Sequence, residues 1–449
     1  MGPQASARRG AGVALALTLT VGGLLVPASA PPAVAQANNG CSGLIAQEGW
    51  APQALNLEVA HTIATGAGVK VAVVDSGVDT DNPHLNGAVL TGEDIYGLDP
   101  TNTTGTADVQ QHGTVMATII AGRTVEGSGL LGVAPDAMIY PIRVYYSTEV
   151  RDGEPGSLTG AGIADGIRRA TASGAQIIVV ALSQYTDDPA IAAAVAEAEA
   201  AGALVVASAG NLDDQSDVPT QPRFPAAYPQ VLAVTGVDMA GLPAGAHIGE
   251  HIDIAAPGVN ILAGVPSGAD CWVGKPNDAT SWATAHVGGV AALIAQAYPE
   301  ETPQQWAHRL TATASRTDPD ARDSILGWGM VQPVAALKFV DDGSARGPDS
   351  ADWERPPVVV PEVEPVVVEA RPDPWVSPRR TVAWWALGTG SVVLAALLVS
   401  RLPSRPRYSR FPSSRRSTSQ VYLRSRLVQV SLPHDCFVPG TPTWMRYFS

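Results

Sequence analysis

Residues 279–289 read Ala-Thr-Ser-Trp-Ala-Thr-Ala-His-Val-Gly-Gly and contain one serine, Ser281. Small and apolar residues continue to Ile294, and this composition predicts a buried helix that begins near Ser281. A hydroxyl at the start of a helix lies where backbone N–H groups lack partners and where the helix dipole favours negative charge. Taken alone, the stretch fits either an N-cap role for Ser281 or a nucleophile whose oxyanion would be stabilised there.

Three other motifs supply what a nucleophilic serine needs, which is a base and a group that orients the base. One apolar strand pattern ends in Asp75-Ser76-Gly77, and a second ends in Ser208-Ala209-Gly210-Asn211. Between them, His112-Gly113-Thr114 opens an apolar, helix-like run that ends at Ala121. The order Asp, His, Ser along the chain favours catalysis over simple capping as the role of Ser281.

These motifs and Thr280-Ser281-Trp282-Ala283 resemble the four signatures of the subtilisin-like serine proteases, peptidase family S8, across residues 50–337. The resemblance implies that Ser281 attacks the scissile carbonyl, that His112 transfers the proton, and that Asp75 orients the imidazole. It also implies that Asn211 and the backbone N–H of Ser281 stabilise the oxyanion. Two positions depart from the family pattern: Ala279 replaces a glycine and Ala285 replaces a proline.

The same resemblance indicates which residues contact the substrate. In the family, the segment after a central strand and the segment before the oxyanion asparagine line the pocket beside the scissile bond, and an extended substrate pairs with them as an added strand. In this chain these segments are Ala181-Leu182-Ser183 and Ser208-Ala209-Gly210. Ala181 and Ser183 stand where the family usually has serine and glycine, so the resemblance does not define the shape of the pocket.

Apolar runs alternate with helix patterns between the motifs, and this alternation predicts an α/β three-layer sandwich with a mostly parallel central sheet. The predicted strands are continuous apolar runs of the kind buried on both faces of a sheet: Val69–Val74, Met138–Val144, Gln176–Leu182, Ala203–Ser208 and Val231–Val237. The predicted helices have recognisable start and stop residues: Leu158–Ala172, Ala190–Ala201 and a helix from Thr302-Pro303 to Ala312.

The chain has 449 residues and a net charge of −14, with the acidic residues concentrated between the two terminal segments. An acidic body argues against nucleic-acid binding. Five aspartates raise the possibility of a calcium site, but they lack a recognised ligand spacing, and solvated acidic loops are the favoured interpretation. They are Asp79, Asp81, Asp213, Asp214 and Asp217. We therefore expect no metal and no cofactor.

The N-terminus, residues 1–37, is predicted to be a signal peptide. Arg8-Arg9 precede the apolar run Ala11–Val26, and both Ala28-Ser29-Ala30 and Ala35-Gln36-Ala37 fit a cleavage site. A permanent membrane anchor is the alternative, which the shortness of the apolar run disfavours. The following residues 38–49 form a short N-terminal extension, with no room for a folding propeptide before a catalytic domain at 50–340.

The C-terminal part predicts a membrane anchor. Residues 341–378 are proline-rich and acidic, which is typical of a stiff linker. Residues 379–401 include an uncharged run of the length that crosses a bilayer, with Trp384 and Trp385 near one interface. The alternative is a buried globular helix. The basic tail, residues 402–449, marks the cytoplasmic side and leaves the catalytic domain outside the membrane.

Three cysteines are present, of which Cys41 and Cys271 lie in the exported part and Cys436 in the tail. An oxidising compartment permits disulfides, and two exported cysteines allow one intramolecular pairing. We therefore predict a Cys41–Cys271 disulfide, with two free thiols as the alternative because sequence does not place their Cα atoms within bonding range.

The whole arrangement resembles the mycosins, membrane-anchored proteases of actinobacterial type VII secretion systems. That resemblance implies a peptide or protein substrate and, as a partner, the secretion membrane complex. An active endopeptidase is favoured by the complete set of catalytic residues. A weakly active or inactive scaffold that stabilises the complex remains open because of Ala181, Ala279 and Ala285, whereas the membrane tether disfavours a general nutritional protease.

Overall fold

The structure is a computed structural model that describes residues 41–147, 156–212, 218–245, 247–275, 279–350, 352–353 and 373–401. The predicted signal peptide and cytoplasmic tail, and most of the predicted linker, lie outside these residues. Contacts between residues divide the chain into two units, Met1–Val358 and Val359–Ser449.

The described part of the first unit is built on a parallel sheet of seven strands in the order β2-β3-β1-β4-β5-β6-β7. Its strands are β1 (Lys70–Asp75), β2 (Glu93–Asp94), β3 (Met138–Arg143), β4 (Ile177–Val180), β5 (Leu204–Ser208), β6 (Val231–Val237) and β7 (Ile254–Pro257). A separate antiparallel hairpin joins β8 (Ile261–Gly264) to β9 (Asp270–Val273). The predicted mostly parallel sheet is confirmed.

Alternate residues of the central strands enter two different cores, one on each face of the sheet. In β1, Val71 and Val73 belong to one buried cluster, whereas Ala72 belongs to the other. In β4, Val179 and Val180 divide in the same way. Both faces are therefore apolar, which is why the sequence shows these strands as continuous apolar runs rather than as an alternating pattern.

Helices cover both faces of the sheet, so the predicted three-layer sandwich is confirmed. They are α1 (Trp50–Ala54), α2 (Leu57–His61), α3 (His112–Ala121), α4 (Gly160–Ala172), α5 (Pro189–Ala200), α6 (Thr280–Ala297), α7 (Pro303–Ala312) and α8 (Pro333–Lys338). Buried residues of α4 and α5 belong to one core, and those of α3, α6, α7 and α8 belong to the other. Side chains of Thr159, Asp188 and Thr302 cap α4, α5 and α7 at their first turns.

Several regions differ from the sequence-based expectations. The short helices α1, α2 and α8, strand β7 and the β8–β9 hairpin were not predicted, because each contains only four to six residues and gives little periodic signal. The strand predicted through Leu182 ends at Val180. In addition, the first residues of the predicted linker pack on the first unit, since Gln305 Nε2 of α7 donates to Asp352 Oδ2 at 2.7 Å.

The second unit contributes one described helix, α9 (Val376–Ser400), which has 25 residues. Its mean hydropathy is 2.0, and none of that apolar window is buried. In length and composition it is a candidate membrane span, and it begins three residues before the segment predicted from sequence.

Candidate active site

Asp75 lies at the carboxyl end of β1, where its carboxylate is 1% exposed. Its Oδ1 accepts hydrogen bonds from the Ser76 N–H at 2.7 Å and from the Tyr145 hydroxyl at 3.1 Å. Burial and the negative charge of Asp75 raise the pKa of Tyr145 well above its ordinary value, so the phenol keeps its proton and donates it. The carboxylate is therefore held in one orientation.

His112 is the first residue of α3, and its Nδ1 lies 2.9 and 2.8 Å from the two carboxylate oxygens of Asp75. An ionised carboxylate only accepts, so Nδ1 carries the proton and Nε2 is the basic nitrogen of the neutral ring. The imidazole is 23% exposed, which leaves part of the ring open to a bound molecule. A histidine held in this way is suited to accept a proton from a nucleophile.

Gly113 allows α3 to begin this close to β1. A Cβ at this position would lie 2.0 Å from the carbonyl oxygen of Gly77 and 3.3 Å from the Cβ of Asp75. The first of these distances is too short for any side chain at this position unless the helix moves. The glycine after His112 is therefore needed for the distance between the imidazole and the carboxylate.

Asp108 also connects the end of β1 to the start of α3. This role was not predicted from the sequence. Its Oδ1 accepts from Ser76 Oγ at 2.7 Å, and its Oδ2 accepts from the N–H and the hydroxyl of Thr114 at 2.7 and 2.6 Å. Ser76 Oγ in turn accepts from the Gly113 N–H at 3.1 Å. Burial raises the pKa of Asp108, while these hydrogen bonds act in the opposite direction. The buried side chain thus ties the end of β1 to the start of α3.

Ser281 occupies the first turn of α6 and is 7% exposed. The N-cap residue is Ala279, which makes no capping side-chain bond, so the structure does not place Ser281 in the N-cap role. Its Oγ lies 3.4 Å from the carbonyl oxygen of Ala181. The next residue, Trp282, packs on the His112 ring with the ring centroids 4.9 Å apart. The start of α6 therefore lies beside the imidazole.

The alanine that departs from the family pattern before this turn fits without a clash. Ala279 is fully buried, and its side chain faces the backbones of Gly236 and Gly258. A Cβ at either glycine would lie within 3 Å of the Ala279 Cβ. The methyl group of Ala279 thus occupies space that two glycines leave free.

Asn211 follows β5, and its side chain is oriented by Thr280. Asn211 Oδ1 accepts from the Thr280 N–H at 3.1 Å and from the Thr280 hydroxyl at 2.7 Å. The Thr280 hydroxyl lies 2.8 Å from Ser208 Oγ, which accepts from the Gly210 N–H at 3.2 Å. Because the amide oxygen is occupied twice, the amide nitrogen is the group available to an oxyanion.

The six residues predicted to contact the substrate lie at the carboxyl ends of the adjacent strands β4 and β5. Ala181 and Leu182 are buried and Ser183 is half-buried. The Ser208 side chain is 2% exposed and is hydrogen-bonded to Thr280, so its hydroxyl positions Asn211 rather than facing a substrate. Gly210 has a φ of 92°, a conformation that favours glycine.

A cleft of about 720 Å³ opens beside His112 and Trp282. Its other wall is the β8–β9 hairpin, which contributes Cys271 and Trp272. A cleft of this size holds several residues of an extended chain next to the imidazole.

The structure joins Cys41 to Cys271 in a disulfide, with the Cα atoms 5.3 Å apart. The extension that carries Cys41 is also bound by its backbone: the Asp270 N–H donates to Gly43 O at 2.9 Å and the Ile45 N–H donates to Asp270 Oδ2 at 2.8 Å. The described part of the N-terminal extension is thus attached to the hairpin that borders the cleft.

Two further histidines, His286 and His251, are not part of the contacts between Asp75, His112 and Ser281. His286 is buried in α6, its Nδ1 donates to Trp282 O at 2.9 Å, and burial lowers its pKa to about 4. Burial, with the nearby His247 and Arg322, lowers the pKa of His251. Within the described ranges, no group of three or more His, Cys, Asp or Glu residues is placed to hold a metal ion. Asp213, Asp214 and Asp217 lie outside those ranges.

In chemical terms, the arrangement combines an oriented base, a hydroxyl at the start of the helix that packs against that base, and an amide oriented by the residue before the hydroxyl. These are the elements of nucleophilic acyl transfer, in which a tetrahedral oxyanion forms and collapses.

Comparisons with known proteins agree with this chemistry. The model of the subtilase family matches residues 66–329. Mycosin-1 of Mycobacterium tuberculosis is 33% identical over 355 residues, which cover 70% of this chain and 78% of the relative. The solved structure of MycP1 from Mycobacterium smegmatis matches with a TM-score of 0.59 and 28% identity. The match covers 70% of this chain and 93% of the MycP1 chain.

A second solved structure is that of a MycP1 described as a serine protease and an essential component of the type VII (ESX-1) secretion system. It has a TM-score of 0.56 and 31% identity, and the match covers 67% of this chain and 92% of its own.

Proposed function

Because this chain belongs to the subtilase family of serine endopeptidases, in the group of the mycosins, we propose that it cleaves exported proteins at the outer face of the membrane with Asp75, His112 and Ser281 as its catalytic triad. The observation that carries the proposal is the double contact of His112 Nδ1 with Asp75, next to the helix turn that holds Ser281.

The proposal assigns a role to each residue. Asp75 keeps the proton on Nδ1 of His112 and stabilises the imidazolium that forms in the reaction. His112 Nε2 accepts the proton of Ser281 and later gives it to the leaving amine. Asn211 Nδ2 and the Ser281 N–H, at the positive end of α6, stabilise the oxyanion.

Membrane attachment is supported by α9, whose 25 residues exceed what is needed to span a hydrocarbon core. Arg401 follows the helix immediately, and the basic residues beyond it favour a cytoplasmic C-terminus. The catalytic unit would then lie outside the cytoplasm, where the Cys41–Cys271 disulfide is stable.

The partner proposed for the protein is a type VII secretion membrane complex. The support is the similarity to MycP1, which is described as an essential component of such a system. The substrates would be a small number of exported proteins, because a tethered protease reaches only what passes near the membrane.

Fluorophosphonate labelling of the full-length protein tests the catalytic assignment. Wild-type protein should react at Ser281, and Ser281→Ala should lose both labelling and peptide cleavage while keeping the same melting temperature, because only a hydroxyl is removed. Full cleavage by Ser281→Ala would show that another group is the nucleophile. A wild-type protein that neither labels nor cleaves would instead favour a scaffold function.

An impermeant thiol reagent applied to intact cells tests the topology, with Cys436 as the probe. We expect Cys436 to react only after lysis. Reaction without lysis would contradict the proposed orientation.

A further inference from the structure

Arg223 lies between the two segments assigned to the substrate, although no sequence motif pointed to it. The chain after β4 pairs with the segment that follows Arg223, since the Gln184 N–H donates to Phe224 O at 2.9 Å and the Phe224 N–H donates to Gln184 O at 2.8 Å. This antiparallel pairing places residue 223 opposite Tyr185, and the Arg223 side chain extends from there to Ser183. A Cβ on Gly210 would lie 2.8 Å from the Cγ of Arg223, so the stem of the side chain covers Gly210.

The guanidinium is fixed by its neighbours. Its Nε donates to Ser183 Oγ at 3.1 Å, and the guanidinium carbon lies 3.9 Å above the centre of the Tyr185 ring. Its Nη2 also donates to the carbonyl oxygen of Ser183 at 3.4 Å. Stacking on an aromatic ring and two hydrogen bonds hold the planar guanidinium in place and leave its remaining N–H groups able to bind an anion.

The position of Arg223 relative to the reacting carbonyl follows from the two segments that it touches. The first segment begins at Ala181, whose carbonyl oxygen lies 3.4 Å from Ser281 Oγ. The second ends at Gly210, directly before Asn211. The proposed reaction has Ser281 attack a carbonyl that Asn211 holds. The side chain of the residue that carries this carbonyl would therefore enter between the two segments, where Arg223 lies.

The charge of Arg223 has no carboxylate within 4.0 Å among the residues that the structure describes. Two buried arginines, by contrast, have such partners: Arg309 pairs with Glu301, and Arg143 pairs with Asp94. A half-buried cation attracts an anion, and repels another cation, more strongly than a fully exposed cation does.

We infer that Arg223 determines specificity by binding an acidic side chain, Asp or Glu, on the residue that precedes the scissile bond. The inference rests on the proposed function, because it assumes that Ser281 and Asn211 act on that bond. A substrate carboxylate would receive charge-assisted hydrogen bonds from the guanidinium, whereas a glutamine would receive weaker ones and a lysine would be repelled.

The test compares peptides that differ only in the residue before the cleaved bond, namely Glu, Gln or Lys, with the full-length protein in detergent. A charge-assisted pair predicts that kcat/KM for the Glu peptide exceeds that for the Gln peptide by about 10- to 100-fold. Arg223→Met should reduce this ratio to near one, Arg223→Lys should keep part of it, and Arg223→Glu should turn the preference towards Lys.

Arg346→Met is the matched control, because Arg346 is exposed and pairs with Asp320 away from the site. It should leave the Glu-to-Gln ratio unchanged. Thermal melting identifies any variant that fails to fold. If Arg223→Met or Arg223→Glu fails to fold, Arg223→Lys is used for the test, because it is the most conservative change. Fluorophosphonate labelling separates two failures: a protein that labels but shows no preference for Glu overturns the role of Arg223 alone, whereas one that neither labels nor cleaves overturns the proposed function.

Discussion

Thr280 donates two hydrogen bonds to the same oxygen of Asn211, one from its N–H at 3.1 Å and one from its hydroxyl at 2.7 Å. The hydroxyl is itself 2.8 Å from Ser208 Oγ. The residue before the nucleophile thus orients the amide that faces the oxyanion. The helix turn of Ser281 and the end of β5 act as one unit because Thr280 connects them.

The first prediction concerns this connection. Thr280→Val removes one of the two bonds to Asn211 and leaves Ser208 Oγ without that partner, so kcat should fall by about tenfold, with a smaller change in KM. Asn211→Ala, which removes the oxyanion donor itself, should lower kcat by about 10²–10³. Steady-state kinetics on one peptide measure both effects.

Thr280→Ser is the control for the first prediction, because serine keeps the hydroxyl. Its kcat should lie close to that of the wild type. An equal loss in Thr280→Ser and Thr280→Val would contradict the prediction, because serine keeps the hydroxyl that binds Asn211.

The sequence was sufficient to predict much of the sheet, since β6 has the predicted bounds and β1 is shifted by one residue at each end. Long apolar runs predicted these strands correctly because both faces of the sheet are buried. The four-residue strand β7 and the hairpin gave no comparable pattern, since their burial depends on neighbours contributed by distant parts of the chain.

The site shows the same limit. Asp75, His112, Asn211 and Ser281 were recognisable because each belongs to a local motif. The roles of Ser208 and Arg223 were not, because their partners, Thr280 and Ser183, lie 72 and 40 residues away along the chain. Only the folded chain brings such pairs together.

The second prediction concerns Gly113. In Gly113→Ala, the added Cβ would lie 2.0 Å from Gly77 O, so the start of α3 must move and carry His112 away from Asp75. We expect a loss of stability of about 1–3 kcal/mol from overpacking. Because a displacement of about 1 Å can cost 10²-fold in rate, kcat/KM should fall by about that factor.

Gly390→Ala is the control for Gly113, since an added Cβ there meets no described atom within 4 Å. Melting temperature and cleavage rate should both stay near the wild-type values. Normal activity in Gly113→Ala would show that the helix start tolerates the shift, and the steric argument would then be wrong.

The third prediction concerns pH and His286. Burial lowers the pKa of His286 to about 4, whereas the unfolded chain binds this proton below about pH 6.5. Between these values the unfolded state binds more protons, so the contribution of His286 to stability falls as the pH falls, by about 3 kcal/mol in all. Asp253 acts in the opposite direction, because burial raises its pKa to about 6.

A comparison with His286→Gln isolates the histidine from Asp253, which both proteins share. Chemical denaturation at several pH values gives the free energy of unfolding of each. The advantage of the wild type over the variant should shrink between about pH 6.5 and pH 4. A difference that stays constant over this range would show that His286 takes up a proton in the folded state.

The last prediction concerns the disulfide between Cys41 and Cys271, which closes a loop with a sequence separation of 230 residues. In the chain-entropy model such a bond stabilises by up to about 5 kcal/mol. Cys41→Ser should therefore lower the melting temperature by several degrees, up to about 10 °C for a domain of this size. Cys436→Ser is the matched control and should leave the melting temperature unchanged.

The same bond bears on whether the extension blocks the enzyme. The described extension binds Asp270 and Cys271 of the hairpin, and none of its hydrogen bonds in the described residues reaches His112 or Ser281. Cys271 lines the cleft, so freeing the extension should loosen one wall and lower the cleavage rate rather than raise it. Deletion of residues 38–49 tests this directly: a marked gain of peptidase activity would show that the extension is an inhibitory propeptide and not a permanent clamp.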